Sequence, residues 1–316
     1  MTRDRDLPAN PDAAGALLDE LGDAAWAAAA FVRLAGTGAL SEAAFEPSSP
    51  EDRGAAATLA AAGLLDREGD VFTPAPGLAA LADAGMLDAR AQGMASSLGQ
   101  LAGALGGDDN GWGAQDDATL LAQGRSSAMG GTMLAFVAVP SFEGLSARFD
   151  AGGELLDVGV GVGEITAAFC EALPAARVTG LDVLPRALEL AHETIQARGL
   201  AGRVELRLQP VQELDDVDRF DLAWLPAPFI PDAVFPDAVE RIRAALRPGG
   251  WLVVGAGRFD GDELSVAVTA WKTMRAGGTP LPADDARRVL EDAGLTDFQA
   301  LPTPPGAPAI YAARRD

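Results

Sequence analysis

Strand-like and helix-like runs alternate through the second half of the chain, and this pattern restricts the fold more than any other feature. From Gly153 onward, the runs are ELLDVG, EITAAFCEAL, ARVTGLDV, PRALELAHETIQARG, RVELRLQ, DLAWL, DAVERIRAAL and WLVVGAG. This order predicts βαβ units, in which helices cover both faces of a mainly parallel sheet. The last two strand candidates, DFQALP and AIYAARR, are joined by TPPGAP, which is long enough to pair them antiparallel.

The first of these units contains a glycine-rich turn in LLDVGVGVGEITAAF, residues 155–169. Gly159, Gly161 and Gly163 suit a turn whose backbone takes positive φ angles or passes close to a ligand. Such a ligand lies at the N-terminal end of the next helix, at the carboxyl edge of the sheet. The competing interpretation is a dinucleotide fingerprint. Starting at Gly159, it would need a small residue at Glu164, whose charge would also repel a pyrophosphate.

An acidic residue, Asp182, ends the next predicted strand and lies 19 residues after Gly163. A carboxylate in this place accepts two hydrogen bonds at once and can hold the two ribose hydroxyls of a nucleoside. The alternative role is an ordinary helix cap before Pro185. Its position after the glycine loop favours the ribose role.

Asp157 before the loop and the G-x-G-x-G spacing resemble the first motif of class I S-adenosylmethionine (SAM)-dependent methyltransferases. RVELRLQPVQEL (203–214), FDLAWLPAPF (220–229) and ALRPGGWLVV (245–254) resemble later segments of that family, in the same order. The resemblance covers about residues 150–316, and with the N-terminal part the chain is similar to small-molecule O-methyltransferases of secondary metabolism. It implies an α/β fold: a Rossmann-like seven-stranded methyltransferase sheet, last strand antiparallel, with an N-terminal mostly helical winged-helix-like domain.

The same resemblance implies SAM as the cofactor and a set of residues that bind it. These cofactor-binding candidates are Asp157, Gly159, Val160, Gly161, Gly163, Asp182, Val183, Pro210, Val211, Gln212 and Leu225. Pro210 departs from the family, which often has an adenine-binding Asp there, so Gln212 or a backbone carbonyl is expected to replace it. PAPF (226–229) stands where amino-methylating relatives carry Asn-Pro-Pro-Tyr, and Pro226 has no side-chain amide oxygen. Methylation of an amide or nucleobase nitrogen is therefore disfavoured.

The N-terminal part predicts a smaller helical domain. Ser49-Pro50-Glu51-Asp52 begins a helix, and LLDREGDVFTP (64–74) alternates as a hairpin does, so helices are followed by a two-stranded wing. The expected division is a disordered lead over 1–12, a winged-helix-like dimerisation or lid domain over 13–105, a helical connector over 106–150 that contributes to the substrate pocket, and a SAM-binding domain over 151–316.

The charge balance argues against DNA as the partner of this winged-helix pattern. Asp plus Glu outnumber Lys plus Arg by 46 to 24, a formal net charge of −22, which repels nucleic acid and anionic membranes alike. We therefore expect neither as a partner, and consider a homodimer through the N-terminal domain. The N-terminus has no apolar signal region, and the apolar run over 24–32 is too short to span a membrane, which predicts a cytoplasmic protein.

Candidate catalytic groups are few. With one cysteine, Cys170, and one histidine, His192, the chain can form neither an internal disulfide nor a Cys/His zinc site, and no metal is expected. The resemblance implies a catalytic histidine in plant-like O-methyltransferases, downstream of the glycine loop, and this chain has none there. An acidic phenol, enol or carboxylic acid that arrives ionised needs no base. We therefore expect methyl transfer to an acidic oxygen of a small, largely apolar metabolite.

Other functions stay open: carbon methylation, a cyclisation on the same fold without methyl transfer, or a SAM-responsive DNA-binding regulator. The stretch over 126–142 carries no charge and suits either a core or the wall of an apolar pocket. The substrate-site candidates are Trp112, Met129, Met133, Phe229 and Trp271, with Arg125 or Arg258 as the partner of an anionic substrate or of the methionine carboxylate.

Overall fold

The computed structural model describes residues 11–106, 111–259, 262–278, 280–303 and 308–316. The chain divides into two compact units, Met1–Gly99 and Gln100–Asp316. Residues 11 and 12 of the expected disordered lead already belong to the first helix, which corrects that boundary, and the rest of the lead lies outside the described residues.

The first unit is mostly helical, as predicted. Its elements are α1 (Pro11–Gly36), α2 (Pro50–Ala61), β1 (Leu65–Glu68), β2 (Val71–Pro74), α3 (Pro76–Asp83) and the start of α4 (Leu87–Gly106). Ser49 caps α2 by accepting a hydrogen bond from the Asp52 N–H, and Pro50 occupies the first turn. Glu68 pairs with Val71, so β1 and β2 form the predicted antiparallel hairpin.

The second unit begins with short helices that precede the sheet. A 3₁₀ turn over Trp112–Ala114 leads to α5 (Asp117–Ser127), α6 (Met129–Met133), a π turn over Leu134–Ala138, α7 (Val139–Ser141) and α8 (Leu145–Asp150). Gly131 lets α6 lie directly on a later helix, because a Cβ there would lie 2.2 Å from the Ile165 carbonyl oxygen. The segment expected as a connector therefore belongs to the same compact unit as the sheet.

Seven strands form the sheet of this unit, in the order β5-β4-β3-β6-β7-β9-β8. The strands are β3 (Glu154–Val158), β4 (Arg177–Asp182), β5 (Val204–Leu208), β6 (Phe220–Pro226), β7 (Leu246–Gly255), β8 (Thr296–Leu301) and β9 (Ile310–Arg314). The last strand, β9, runs antiparallel to both of its neighbours, β7 and β8. The predicted seven-stranded sheet with an antiparallel last strand is thus confirmed.

Helices lie on both faces of the sheet: α9 (Glu164–Ala172), α10 (Pro185–Ala197), α11 (Phe235–Ala245) and α13 (Ala283–Asp292). A further helix, α12 (Glu263–Arg275), packs against the turn Ala227–Phe229. On one face, Leu156 packs in a cluster with Ile242 of α11 and Leu290 of α13. On the other face, Leu155 packs in a cluster with Phe169 of α9.

The chain order creates a crevice at the carboxyl edge. β3 pairs with β4 on one side and with β6 on the other, so the connections leave β3 and β6 in opposite directions. Ligands of open α/β sheets bind at such a switch point. No helix among the described residues has the length and apolar character that crossing a membrane requires.

Candidate functional site

The glycine loop between β3 and α9 has the backbone conformation that its sequence predicts. Gly159, Gly161 and Gly163 have φ angles of 68°, 56° and 82°, which side-chain-bearing residues rarely adopt. Between them, the Val160 N–H donates a hydrogen bond of 2.9 Å to the Leu181 carbonyl of β4. The loop is therefore tied to the neighbouring strand and forms a rigid cradle at the edge of the sheet.

Asp182, at the end of β4, connects this strand to the glycine loop. One carboxylate oxygen accepts a 2.8 Å hydrogen bond from the Gly161 N–H, and the other accepts 2.9 Å from the Leu184 N–H. Burial raises the pKa of Asp182, although the backbone N–H groups act in the opposite direction. Each oxygen of a carboxylate accepts more than one hydrogen bond, so Asp182 retains lone pairs for two hydroxyls.

Asp157, on β3, is a buried acid with one unsatisfied oxygen. Its Oδ2 accepts a 2.6 Å hydrogen bond from the Thr166 hydroxyl of α9, and its Oδ1 has no partner among the described residues. Burial, with a smaller contribution from the nearby Asp182 charge, raises the pKa of Asp157 to about 7 against the lowering effect of Thr166. A cationic ligand group would satisfy this oxygen and stabilise its charge. SAM carries two such groups, a sulfonium and an α-ammonium, so the acid fits that cofactor.

Two exposed apolar side chains lie at the same edge as Asp182. Val183 is 59% exposed and Leu208 is 60% exposed, and Leu208 pairs in register with Asp182. They form an exposed apolar surface beside Asp182. The sequence prediction missed Leu208. Leu208 stands at the end of β5, opposite Asp182. This position could be recognised only once the register between β4 and β5 was known.

The structure shows where the side chains of three further cofactor candidates lie, and their cofactor role stays a prediction. The side chains of Val211 and Leu225 are buried in the core between the sheet and α11. Gln212 lines a groove together with Asp237 of α11 and Asp292 of α13. The motif match identifies positions along the chain but not the face of the sheet to which each side chain turns. Pro210 is half-buried and precedes the short 3₁₀ turn that begins at Val211.

Residues 111–127, which we call the covering segment, touch the loop after β6. The Trp112 and Phe229 rings meet edge to face, with their centroids 5.2 Å apart. The indole also packs against a small apolar cluster that contains Val162 of the glycine loop. Its Nε1 is buried and has no acceptor among the described residues.

The covering segment also touches the loops after β4 and β3. Asp117 accepts two hydrogen bonds from Arg186 of α10, of 2.9 and 2.6 Å. Gly124 lies against the glycine loop, since a Cβ there would be 2.1 Å from Cγ2 of Val162. The segment thus bridges the three loops that surround the crevice.

Of the substrate candidates, the structure brings Trp112 and Phe229 into contact. Trp271 is 49% exposed on α12, a helix that packs against the turn Ala227–Phe229. Met129 is 49% exposed, whereas Met133 packs against the cluster on the α9 face of the sheet. Arg125 is exposed and Arg258 is half-buried. The role of all seven residues in binding a substrate stays a prediction.

Groups that often perform catalysis lie elsewhere. His192 is exposed on α10, and Tyr311 is buried against Phe298 with ring centroids 5.6 Å apart. Cys170 is fully buried, and burial raises the pKa of its thiol to about 11, so it is neutral and unreactive. The described residues contain no group of three or more His, Cys, Asp or Glu side chains that could hold a metal ion.

Comparison with known proteins agrees with this geometry. Residues 155–250, from β3 to β7, match the model of a methyltransferase domain. Sequence relatives include the release factor glutamine methyltransferases of Chlorobaculum tepidum, 34% identical over 46% of this chain and 52% of the relative, and of Cereibacter sphaeroides, 31% identical over 55% and 65%. The chain therefore spans about half the length of the first of these relatives and two thirds or less of the second.

Solved structures match along almost the whole chain. The mitomycin 7-O-methyltransferase MmcR is 20% identical, with a TM-score of 0.67 over 96% of this chain and 98% of that one. Human N-acetylserotonin methyltransferase in complex with SAM is 14% identical, with a TM-score of 0.67 over 100% and 99%. With the domain match, these findings confirm the predicted class I SAM-dependent methyltransferase fold and its cofactor class.

Proposed function

We propose that this chain, a class I SAM-dependent methyltransferase by its domain and fold, methylates a small, largely apolar metabolite at an acidic oxygen, in secondary metabolism. The observation that carries the proposal is the pair of acids at the glycine loop. Asp182 hydrogen-bonds the loop itself, and Asp157 keeps an unsatisfied oxygen behind it. A nucleoside with a cationic side chain satisfies both residues.

Different residues at the carboxyl edge of the sheet would bind different parts of the cofactor. Asp182 would hold the ribose hydroxyls, Val183 and Leu208 would contact the adenine, and Asp157 would face the cationic amino-acid end. When bound, SAM supplies an electrophilic methyl group on its sulfonium. The protein's own contribution is then to orient an oxygen in line with that group and to exclude water, which supplies much of the rate of a transfer between two bound reactants.

The loop after β6 supports oxygen rather than nitrogen as the acceptor. The sequence relatives are named for glutamine methylation, which requires recognition of an amide. Here Pro226 ends β6 and offers no side-chain oxygen to an amide N–H, and Phe229 in the following turn meets the Trp112 ring instead. An apolar wall of this kind suits a flat, weakly polar substrate.

The choice of an acidic oxygen follows from the scarcity of bases. His192 is the only histidine and is exposed on α10, and the thiol of Cys170 is buried and neutral. A phenol, enol or carboxylic acid that is already ionised brings its own nucleophile. The rate of methyl transfer should therefore rise with pH until the acceptor is fully ionised, and a matched aliphatic alcohol should not react.

The N-terminal unit is proposed as a dimerisation or lid element, without nucleic acid or membrane as a partner. In the helix that would read DNA, Asp52 and Glu51 engage Arg33 in ion pairs of 2.7 and 3.1 Å. Arg53 of the same helix pairs with Asp70. Cations occupied in this way are poorly placed to neutralise phosphates. A salt-sensitive, specific gel shift with DNA would contradict this assignment.

Calorimetry with SAM tests the cofactor assignment. We expect the wild-type protein to bind SAM with micromolar affinity, and Asp182→Ala to weaken binding about tenfold or more, because it removes hydrogen bonds to a charged acceptor. Asp285→Ala is the matched control, since it removes a half-buried acid of α13 that pairs only with its helix neighbour Arg288 in the described contacts. Binding weaker than millimolar in the wild type, or equal binding by the Asp182 variant, would reject the assignment.

A further inference from the structure

We propose that Trp112 closes over the amino-acid end of the cofactor and that its indole N–H binds the α-carboxylate. This inference rests on the proposed function, because it takes SAM as the ligand. It adds a residue outside the glycine loop and β4, and it assigns that residue to one chemical group of the cofactor.

Unpartnered polar atoms are the first observation. The buried side-chain atoms without a hydrogen-bond partner among the described residues are Trp112 Nε1, Asp157 Oδ1, Trp224 Nε1 and Arg243 Nε. Such atoms are costly and rare, so each needs a reason. Trp112 and Asp157 flank the glycine loop and have opposite hydrogen-bonding character, one a donor and the other an acceptor. A zwitterion, with an ammonium group and a carboxylate, complements both.

The position of Trp112 is the second observation. Its ring packs in a cluster with Val162 of the glycine loop, Leu120 of α5 and Leu190 of α10, and its edge meets Phe229. Two of these four neighbours, Val162 and Leu190, belong to the glycine loop and to α10, which border the cofactor side of the crevice. The indole therefore approaches the loop from the covering segment, whereas Asp157 approaches it from β3.

The charges around the loop are the third observation. Asp157, Asp182 and Glu164 make this region favourable for cations and unfavourable for a carboxylate. Glu164 is in turn paired with Arg198, which directly follows α10, so that guanidinium is engaged. A carboxylate at this place therefore needs a donor that is not already engaged, and the indole N–H, which has no acceptor among the described residues, is one.

The second arginine beside the crevice is engaged as well. Arg186 donates to Asp117 of the covering segment and to Glu189 of its own helix. Both partners are about half exposed or more, so the ion pair holds the segment down only weakly. Because Trp112 Nε1 is buried in this closed position, the cofactor reaches it when the covering segment lifts and closes again around the ligand.

The test compares SAM with decarboxylated SAM, which differs only by the missing carboxylate. In calorimetry, Trp112→Phe keeps an aromatic ring and removes the donor. We expect it to weaken SAM binding about tenfold, as for a hydrogen bond to a charged group, and to leave the affinity for decarboxylated SAM unchanged. Unchanged affinity for decarboxylated SAM would also show that the variant is folded.

Arg125→Gln is the matched variant, because Arg125 is the alternative partner of the carboxylate. Loss of discrimination between the two ligands in this variant, and not in Trp112→Phe, would overturn the proposal. Equal weakening of both ligands by Trp112→Phe would overturn it too, since it would mean that the indole acts by packing alone. If the wild type bound neither ligand, both the role of Trp112 and the proposed function would be rejected. If the wild type bound SAM and Trp112→Phe bound it equally well, only the role of Trp112 would be rejected.

Discussion

Replacing Asp157 with asparagine should change how the stability of the protein depends on pH. Asparagine keeps the shape of the side chain and an oxygen for the Thr166 hydroxyl, which lies 2.6 Å from Oδ2 in the wild type, but it cannot ionise. Burial raises the pKa of Asp157 from an ordinary value of 3.8 to about 7. The folded state therefore holds a proton that the unfolded chain releases between these two pH values.

The sign of the effect follows from this proton. Because the folded pKa is the higher one, the stabilisation is complete below pH 3.8 and is lost as the pH rises through 7. Over the whole range the free energy of unfolding falls by about 4 kcal/mol, at 1.36 kcal/mol per pKa unit. Between pH 5 and pH 8 the expected loss is about 2.5 kcal/mol. Asp157→Asn lacks this loss.

Urea unfolding of the wild type and of Asp157→Asn at pH 5, 6, 7 and 8 measures this difference in the pH dependence of stability. The variant should gain stability relative to the wild type as the pH rises, by about 2.5 kcal/mol across the series. Apart from Asp182, whose charge makes a smaller contribution to the pKa of Asp157, the other acids titrate alike in the two proteins, so the comparison removes them. A difference between the two proteins that stays constant to within about 0.5 kcal/mol, the usual size of a neutral surface change, would refute the burial argument.

Two further predictions concern packing. A Cβ at Gly278 would lie 2.0 Å from the Pro228 carbonyl oxygen, so Gly278→Ala should displace the turn over 227–229 and destabilise the protein by about 1–3 kcal/mol in urea unfolding. Gly202→Ala, with open space around its Cβ and no positive φ, is the control, and equal losses in both variants would contradict the clash. Cys170 should react with a thiol reagent only as fast as the protein unfolds, because burial raises the pKa of its thiol to about 11. Rapid labelling of the native protein would show that the thiol is accessible.

Much of the cofactor edge was predictable because its determinants are local. The positive φ angles at Gly159, Gly161 and Gly163 follow from a turn that only glycine adopts easily. Asp182 ends a strand that alternation identifies, and chain order places that strand beside the glycine loop. Hydrogen bonding between Asp182 and Gly161 follows from these two facts.

Other residues could not be assigned in this way, because their roles depend on the face to which a side chain turns. Val211 and Leu225 match the family's motif positions but turn into the core beneath α11. Leu208 matches no motif position, and yet its register with Asp182 brings it to the same edge. Side chains alternate between the two faces of a strand, so a shift of one residue along the strand moves a side chain from the core to the crevice or the reverse.

The class of fold, the glycine loop and the acid that follows it could be predicted from short stretches of chain, because periodicity and backbone conformation are local properties. Long-range packing was needed to show that residues 111–127 cover the crevice, and that Trp112 there meets Phe229 more than a hundred positions away. It also decided that Asp157 is left with an unsatisfied oxygen. Burial and hydrogen-bond satisfaction are sums over neighbours that are distant in sequence, so no local pattern encodes them.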